Sequence, residues 1–274
     1  MGIHLHLDTL AYQNRLRYLP PQQKLGFGLG ILILVLLSHW PVQLLSLAWV
    51  SIWILVYGRV PGRVYYRLLI TASGFLLLGL LALMVNVVPL TALGQIHQDE
   101  LLGIRWGGWY SYLSQEGIVQ AWIILCRALA AIAAFLFILC TTPITDLLQL
   151  WRAWHLPVVL ADLMLLMYRF IFLMFRTLEE LTLAQQARLG YGSWSCQWHS
   201  VKLLGGQLLI RSLQHYQAFS LGLATRGFTG EFQVWTGRQY RFSARYGWEA
   251  SLGGLILIGL EIGYRYHRGY GWHF

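Results

Sequence analysis

The chain has 274 residues, of which 57% are hydrophobic and only 11% charged, and its 20 Lys and Arg exceed its 11 Asp and Glu to give a net charge of +9. Soluble globular domains carry roughly 25% charged residues, so the composition excludes an ordinary soluble domain and predicts an integral membrane protein. In such a protein a basic excess determines which side of the membrane each loop faces. The sequence contains no recognisable nucleic-acid-binding module, and its three widely spaced cysteines indicate neither a disulfide framework nor a zinc site.

The apolar segments predict an all-α membrane protein with about five transmembrane helices. No formally charged residue lies between Leu25 and Tyr57, which is more than the ~20 residues that one span needs. His39-Trp40-Pro41 divides this segment into two short spans, because proline disfavours helix in the residue before it. The predicted spans are about 25–38, 41–57, 68–88, 118–140 and 247–264, and the last has a small-residue face made of Gly253, Gly254, Gly259 and Gly263.

The charges of the short loops predict the orientation. Arg15, Arg17 and Lys24 precede the first span, and the loop around Arg59 and Arg63 is also basic. Cytoplasmic loops collect Lys and Arg, so both segments are expected in the cytoplasm. The predicted organisation is an N-terminal transmembrane region (1–142) with an external loop (90–117), a cytoplasmic helical domain (143–247), and a C-terminal transmembrane helix with a tail (248–274).

One apolar segment permits two interpretations. Residues 158–175 are apolar enough to cross the bilayer, although they include Asp162 and Arg169. A single crossing here would place the strongly basic segment that follows outside the cell. We therefore favour a helix that packs within the protein and is partly sunk at the cytoplasmic surface, where two charges on one helix face are less costly than in lipid.

Two short motifs in the 143–247 segment carry the candidate functional residues: Ala187-Arg188-Leu189-Gly190 and Ala224-Thr225-Arg226-Gly227. In each, an Arg is predicted at the end of a helix, since a Gly just beyond it supplies the left-handed residue that stops helices. A single Arg at such a place is most simply explained by the helix dipole. A pair of projecting guanidinium groups instead predicts attachment to a partner with two equivalent sites, because guanidinium forms a two-pronged fork onto carboxylates.

The helix before Arg226 is predicted to be amphipathic. Its apolar stripe is formed by Leu204, Leu208, Tyr216, Phe219 and Leu223, and the stripe is interleaved with Gln207, Arg211, Gln214 and His215. This pattern is typical of a helix that lies along a membrane or in a partner's groove.

The other charged residues give weaker signals. Arg176 with Glu179 and Glu180 predicts a helix-surface salt bridge. Arg127 in the fourth span is expected to pair with an acid on a neighbouring helix, and a transport role for it stays open. His4 and His6 suggest a metal site only weakly. No Gly-rich phosphate loop is present, so the chain is not expected to hydrolyse ATP itself, and no cofactor is expected.

Several motifs, taken in order along nearly the whole chain, resemble one family. They are Asp8-Thr9-Leu10-Ala11-Tyr12 with Asn14-Arg15-Leu16-Arg17, Pro21 and Lys24, Thr141-Thr142-Pro143, Leu147 and Leu148, Leu156-Pro157, Tyr168-Arg169-Phe170-Ile171, Glu179 or Glu180, and the two Arg motifs. The chain resembles the transmembrane T component of energy-coupling factor (ECF) transporters of the cobalt/nickel type, the CbiQ family. Its first motif has Leu189 where the family signature has Gly, so the helix is expected to end one residue further on.

The resemblance implies a function as an energy-coupling subunit of a divalent-metal importer in the cell membrane. Arg188 and Arg226 would each enter a groove on one of two ATPase subunits. Closure of the ATPases would move the two helices and reorient a separate, metal-specific substrate-binding membrane subunit. In this interpretation the chain is not an enzyme, and the choice between cobalt and nickel lies in the other subunit.

Two alternatives remain at this stage. One is a shared T component that serves vitamin-binding subunits. The other, from a different class, is a membrane-embedded enzyme with a polar core of Arg127, Asp162 and Arg169.

Overall fold

The structure is a computed structural model that describes residues 11–12, 14–89, 100–106, 109–154, 157–227, 240 and 243–268. Eight α-helices lie in these residues: α1 (Pro21–Leu37), α2 (Trp40–Ile52), α3 (Gly62–Met84), α4 (Gln115–Thr141), α5 (Ile144–Ala153), α6 (Val158–Ala187), α7 (Trp194–Thr225) and α8 (Ala244–Arg268). A short 3₁₀ helix (Arg15–Tyr18) precedes α1, and α2 continues into a π-helical turn (Trp53–Tyr57). The chain divides into two compact units, residues 1–144 with 238–274 and residues 145–237.

The predicted fold class, a helical membrane protein, is confirmed. Among the described residues, three helical segments are long and apolar enough to cross a bilayer: Trp40–Tyr57, Gly62–Met84 and Gln115–Thr141. Helix α1 is apolar but has only 17 residues, about 25 Å at 1.5 Å per residue. Crossing by α1 and α8 stays a prediction.

In the first unit, α1, α2 and α3 all pack on α4. Four alanines of α4 are buried at these contacts, and small side chains let apolar helices approach closely; they are Ala121, Ala130, Ala133 and Ala134. The turn between α1 and α2 falls at Ser38 and His39, as the proline after Trp40 predicted.

Helix α8 packs against α1 and α2 and is tied to the turn between them. The buried Glu261 carboxylate accepts a hydrogen bond from the His39 backbone N–H (3.1 Å) and lies 2.7 Å from His39 Nδ1. Arg265 Nε donates to the same carboxylate at 2.9 Å, and its Nη2 donates to the Leu37 carbonyl. Burial of a carboxylate in a helix is costly without such partners, so this cluster fixes one end of α8.

A small antiparallel sheet corrects the prediction for the segment after α3. Its strands are β1 (Val85–Pro89), β2 (Glu100–Trp106) and β3 (Trp109–Ser114), in the order β1-β3-β2. Val85 pairs with Leu113 at one end of β1, and Pro89 pairs with Trp109 at the other. The sequence predicted helix as far as residue 88 and a polar loop beyond it, whereas the helix ends at Met84 and strands follow.

In the second unit, α6 and α7 form an antiparallel helical hairpin. Near the turn, Gln185 Nε2 donates to the Ser200 carbonyl at 3.0 Å. Farther from the turn, the rings of Phe170 and Phe219 meet edge to face with centroids 5.8 Å apart. The two helices therefore stay side by side along most of their length.

Candidate functional site

The first Arg motif lies at the turn of the hairpin. Helix α6 ends at Ala187, and Arg188 is the C-cap residue, with φ −95° and ψ 14°. Leu189 then adopts the left-handed conformation (φ 57°), and the Gly190 N–H donates to the Gln185 carbonyl at 2.9 Å. The prediction that Leu189 shifts the helix end by one residue is therefore wrong, because Leu189 itself takes the conformation expected of a glycine.

Gly190 has a different role in the motif, because it lies against α7. The Ser200 hydroxyl donates to the Gly190 carbonyl at 2.7 Å. A Cβ added at Gly190 would lie 2.8 Å from that hydroxyl oxygen and 3.0 Å from the Gln185 carbonyl oxygen. A glycine is thus required at 190 because the Ser200 side chain and the Gln185 carbonyl come too close for a Cβ. The residue before it, Leu189, takes the left-handed conformation.

Further hydrogen bonds close the turn between α6 and α7. Tyr191 Oη donates to Gln185 Oε1 at 2.7 Å, and Gln197 Nε2 donates to the Tyr191 carbonyl at 3.2 Å. Ser193 caps α7 by accepting a hydrogen bond from the Cys196 N–H. Sequence reasoning missed this network, since its members share no helical spacing and meet only after the chain reverses.

The second Arg motif repeats the same backbone geometry at the far end of α7. Helix α7 ends at Thr225, and Arg226 is its C-cap residue, with φ −94° and ψ 8°. Gly227 is left-handed at φ 66°. Arg188 and Arg226 therefore hold equivalent positions, each between the last helical residue and a left-handed residue, and both side chains are exposed.

The hairpin separates the two arginines widely. Arg188 is held near Ser200 by the contacts of the turn, whereas Arg226 follows Thr225 at the opposite end of α7. At 1.5 Å per residue, the helix from Ser200 to Thr225 is roughly 40 Å long. The motifs thus form two tips, which we call the Arg188 tip and the Arg226 tip, at opposite ends of α7.

The predicted apolar stripe on α7 is confirmed in most of its positions. Four of its members, Leu204, Leu208, Phe219 and Leu223, are half-buried, while Tyr216 is exposed. Arg211 and His215 are also half-buried, so this side of α7 is less apolar than the stripe alone indicated. Arg211 lies 3.8 Å from Glu180 of α6, which also meets Arg176 at 3.5 Å as the i,i+4 spacing predicted.

An apolar groove of about 420 Å³ lies along α6 in the second unit and is bounded on the α7 side by Leu208. Its walls are aliphatic, aromatic and thioether side chains: Met167, Phe170, Ile171, Met174, Phe175, Leu178 and Leu208. Thioethers adapt to irregular apolar surfaces, so the groove offers a deformable apolar contact surface between the two tips.

The three residues of the alternative polar core are divided between the two units, with Arg127 in the first and Asp162 and Arg169 in the second. Asp162 is buried on its helix, whereas Arg127 and Arg169 are exposed on theirs. The Arg169 guanidinium lies over the Phe219 ring, 5.5 Å from its centroid. Arg169 therefore makes a cation–π contact between the two helices of the hairpin.

No group of three or more His, Cys, Asp or Glu in the described part of the chain is placed to hold a metal ion. His4 and His6 lie outside the described residues. A larger cavity of about 640 Å³ lies between α1 and α8, and its polar lining includes Gln23, Lys24 and Ser251.

Comparison with known proteins identifies the family. Residues 13–235 match the CbiQ family, described as cobalt transport protein. The chain belongs to the CbiQ family. This match covers helices α1 to α4 of the first unit and the complete hairpin with both tips.

Individual relatives are similar to this chain over more than four fifths of its length. The cobalt transport protein CbiQ of Salmonella typhimurium is 29% identical over 232 residues, which is 83% of this chain and 99% of that protein. CbiQ of Rhodobacter capsulatus is 30% identical over 229 residues, 83% of this chain and 86% of the relative. A putative fused cobalt transport protein CbiMQ of Methanocorpusculum labreanum is 28% identical over 225 residues, 82% of this chain but only 36% of that longer protein. The chain is thus a membrane component of the cobalt transport family.

Proposed function

We propose that the chain is the energy-coupling T subunit of an ECF-type importer for a divalent metal, cobalt or nickel. The observation that carries the proposal is the equivalence of Arg188 and Arg226, two exposed C-cap arginines at opposite ends of one hairpin. Two equivalent tips suit a partner that has two equivalent sites, such as a pair of ATPase subunits. The names of the CbiQ relatives support cobalt as the cargo.

In this mechanism each guanidinium enters a groove on one ATPase subunit and binds carboxylates there. Arginine suits this role because it stays charged and donates two parallel hydrogen bonds. ATP-driven approach of the two ATPases displaces the tips, and the hairpin moves as a unit because hydrogen bonds close its turn. The groove along α6 then provides apolar contact to a substrate-binding membrane subunit, which the movement reorients.

This function requires the 145–237 unit to face the cytoplasm, where ATP is present. The orientation is supported by the basic segments before α1 and between α2 and α3, which favour the cytoplasmic side. The resulting protein is a multi-pass protein of the cell membrane with a cytoplasmic N-terminus.

The proposal is tested by reversing the charge of each tip with Arg188→Glu and Arg226→Glu. A glutamate facing carboxylates in a desolvated groove is expected to weaken ATPase binding by about 2–5 kcal/mol per tip. The matched control is Arg176→Glu, an exposed arginine on α6 that is not at a helix end. Each variant is tagged, purified from its native membranes in mild detergent, and its partners are identified and quantified by mass spectrometry.

Loss of the ATPases from both reversals, with normal recovery in the control, supports the coupling role. Normal recovery of ATPases by both reversals contradicts it. The other copurifying subunits identify the cargo class: a dedicated metal-binding membrane protein supports metal uptake, whereas several vitamin-binding subunits favour the shared T component.

A further inference from the structure

The carboxyl-terminal end of α4 is held by two side chains from the beginning of the chain. Asn14 Nδ2 donates to the Cys140 carbonyl at 3.2 Å, and Lys24 Nζ donates to the Thr141 carbonyl at 3.0 Å. The last four carbonyls of a helix have no partner within the helix. The N-terminal segment therefore supplies the donors that the end of α4 lacks.

Both donors are almost completely removed from solvent. Asn14 is 4% exposed and Lys24 only 2%. Lysine is among the residues least often buried, and a buried ammonium needs compensating partners. The end of a helix is such a place, because the aligned peptide dipoles give it a partial negative charge.

Asn14 is itself held in position. Its Oδ1 accepts a hydrogen bond from the Leu16 N–H at 2.9 Å, so the amide orientation is fixed. Gly58 lies close by, since a Cβ there would be 3.3 Å from Asn14 Nδ2. We call Asn14 and Lys24, with the two carbonyls they bind, the α4 clamp.

The clamp lies just before the point where the chain passes from the first unit to the second. Helix α4 ends at Thr141, and the second unit begins at Thr145. The chain enters the second unit here and returns to the first unit after residue 237. A displacement of the second unit therefore acts on the residues that follow α4, and α1, α2 and α3 all pack on α4. A frayed last turn would absorb the displacement, whereas a clamped turn passes it on.

We propose that Asn14 and Lys24 are positioning residues for energy coupling: they keep the last turn of α4 rigid so that movement of the hairpin unit reaches the membrane helices. The inference rests on the proposed coupling function. It concerns transmission only, because neither residue lies in the unit that carries the Arg tips.

The test compares the clamp with another buried cap of the same kind. Lys24→Met removes the ammonium and keeps the length of the side chain. The matched control is Gln43→Leu: Gln43 is fully buried, and its amide donates to the Ser38 carbonyl at 2.7 Å at the end of α1. A third variant, Asn14→Asp, keeps the acceptor for the Leu16 N–H and removes the donor to Cys140, and it is used if Lys24→Met does not fold.

Each complex is purified with its partner subunits and reconstituted in lipid vesicles, and Co²⁺ uptake, ATP hydrolysis and thermal stability are measured. The clamp variants are expected to retain the ATPases and hydrolyse ATP, while Co²⁺ taken up per ATP falls about tenfold. Gln43→Leu is expected to lower thermal stability with uptake per ATP unchanged.

Two results overturn the clamp alone: unchanged uptake per ATP in the clamp variants, or an equal loss in Gln43→Leu at equal thermal stability. Absence of ATPases from the wild-type complex is a different result, because it removes the proposed function and the clamp together.

Discussion

Leu189 holds the left-handed conformation that ends α6, with φ 57°, although its side chain is 81% exposed and gains little by burial. This conformation costs a residue with a Cβ roughly 1–2 kcal/mol. Gly190 would adopt the left-handed conformation at lower cost, but its position is fixed by the contact with Ser200. The left-handed residue is therefore Leu189, and the strain remains.

Substitutions at these two neighbouring positions are therefore expected to act in opposite directions. Leu189→Gly removes the strain of the left-handed conformation, but it also raises the entropy of the unfolded chain, which opposes folding. The net effect on the free energy of unfolding is expected to lie between zero and about 1 kcal/mol of stabilisation. Gly190→Ala forces its Cβ against Ser200 and is expected to destabilise by about 1–3 kcal/mol. Thermal unfolding in detergent measures both, and a lower stability for Leu189→Gly than for Gly190→Ala contradicts this assignment of roles.

The two residues also show which part of the candidate site was predictable. Helix termination is a local property, so the pattern of Arg followed by Gly was enough to place Arg188 and Arg226 at helix ends. The choice between Leu189 and Gly190 as the left-handed residue depends on Ser200, ten residues later, and on how α7 folds back. A contact formed across a chain reversal leaves no periodic signal in the sequence.

At the scale of the elements, two helix ends that the sequence marked by a following proline were predicted correctly, and a third, the end of α3 placed before Pro89, was not. Thr141 before Thr142-Pro143 and the break at His39 both fall where the sequence predicted them. Val85–Val88 continued the apolar run of α3 and was assigned to the helix. A short apolar run of this kind fits a helix or a buried strand equally well. In the structure these residues form a strand that pairs with β3.

Within the described part of the chain, the predicted small-residue face of α8 makes a close contact at one of its four glycines, Gly253. A Cβ at Gly253 would collide with the Trp49 ring of α2, whereas no atom of the described residues lies within 4 Å of a Cβ at Gly254, Gly259 or Gly263. The sequence identified the four glycines but not which of them meets α2, because that depends on the position of the Trp49 ring.

This difference gives a matched pair of variants on adjacent residues. Gly253→Ala is expected to destabilise by about 1–3 kcal/mol, since the tryptophan or α8 must shift. Gly254→Ala is expected to be neutral or slightly stabilising, because alanine favours helix over glycine by up to about 1 kcal/mol. Thermal unfolding of both in the same detergent checks the result, and equal destabilisation would mean that α8 does not approach Trp49 closely.

At the scale of the whole molecule, the proposed function depends on which side of the membrane holds the Arg tips. The favoured orientation places the second unit inside, whereas a single crossing by residues 158–175 would place it outside. One exposed position discriminates between these arrangements: Gly192 in the turn between α6 and α7. Gln115, also exposed at the start of α4, is external in both and serves as the control. Cys126 and Cys140 are buried, and Cys196 is half-exposed, so a Cys196→Ser background suits a labelling experiment.

In that background, Gln115→Cys is expected to react with a membrane-impermeant maleimide in intact cells, because its end of α4 lies on the predicted external side. Gly192→Cys is expected to react only after the membrane is permeabilised. The basic loops predict a cytoplasmic position for this turn, and the bilayer keeps the impermeant reagent out of the cytoplasm. The labelled fraction is read by gel shift before and after permeabilisation. Labelling of Gly192→Cys in intact cells would place the Arg188 tip where no ATPase can reach it. The proposed coupling function would then be wrong even if the geometry of the tips is correct.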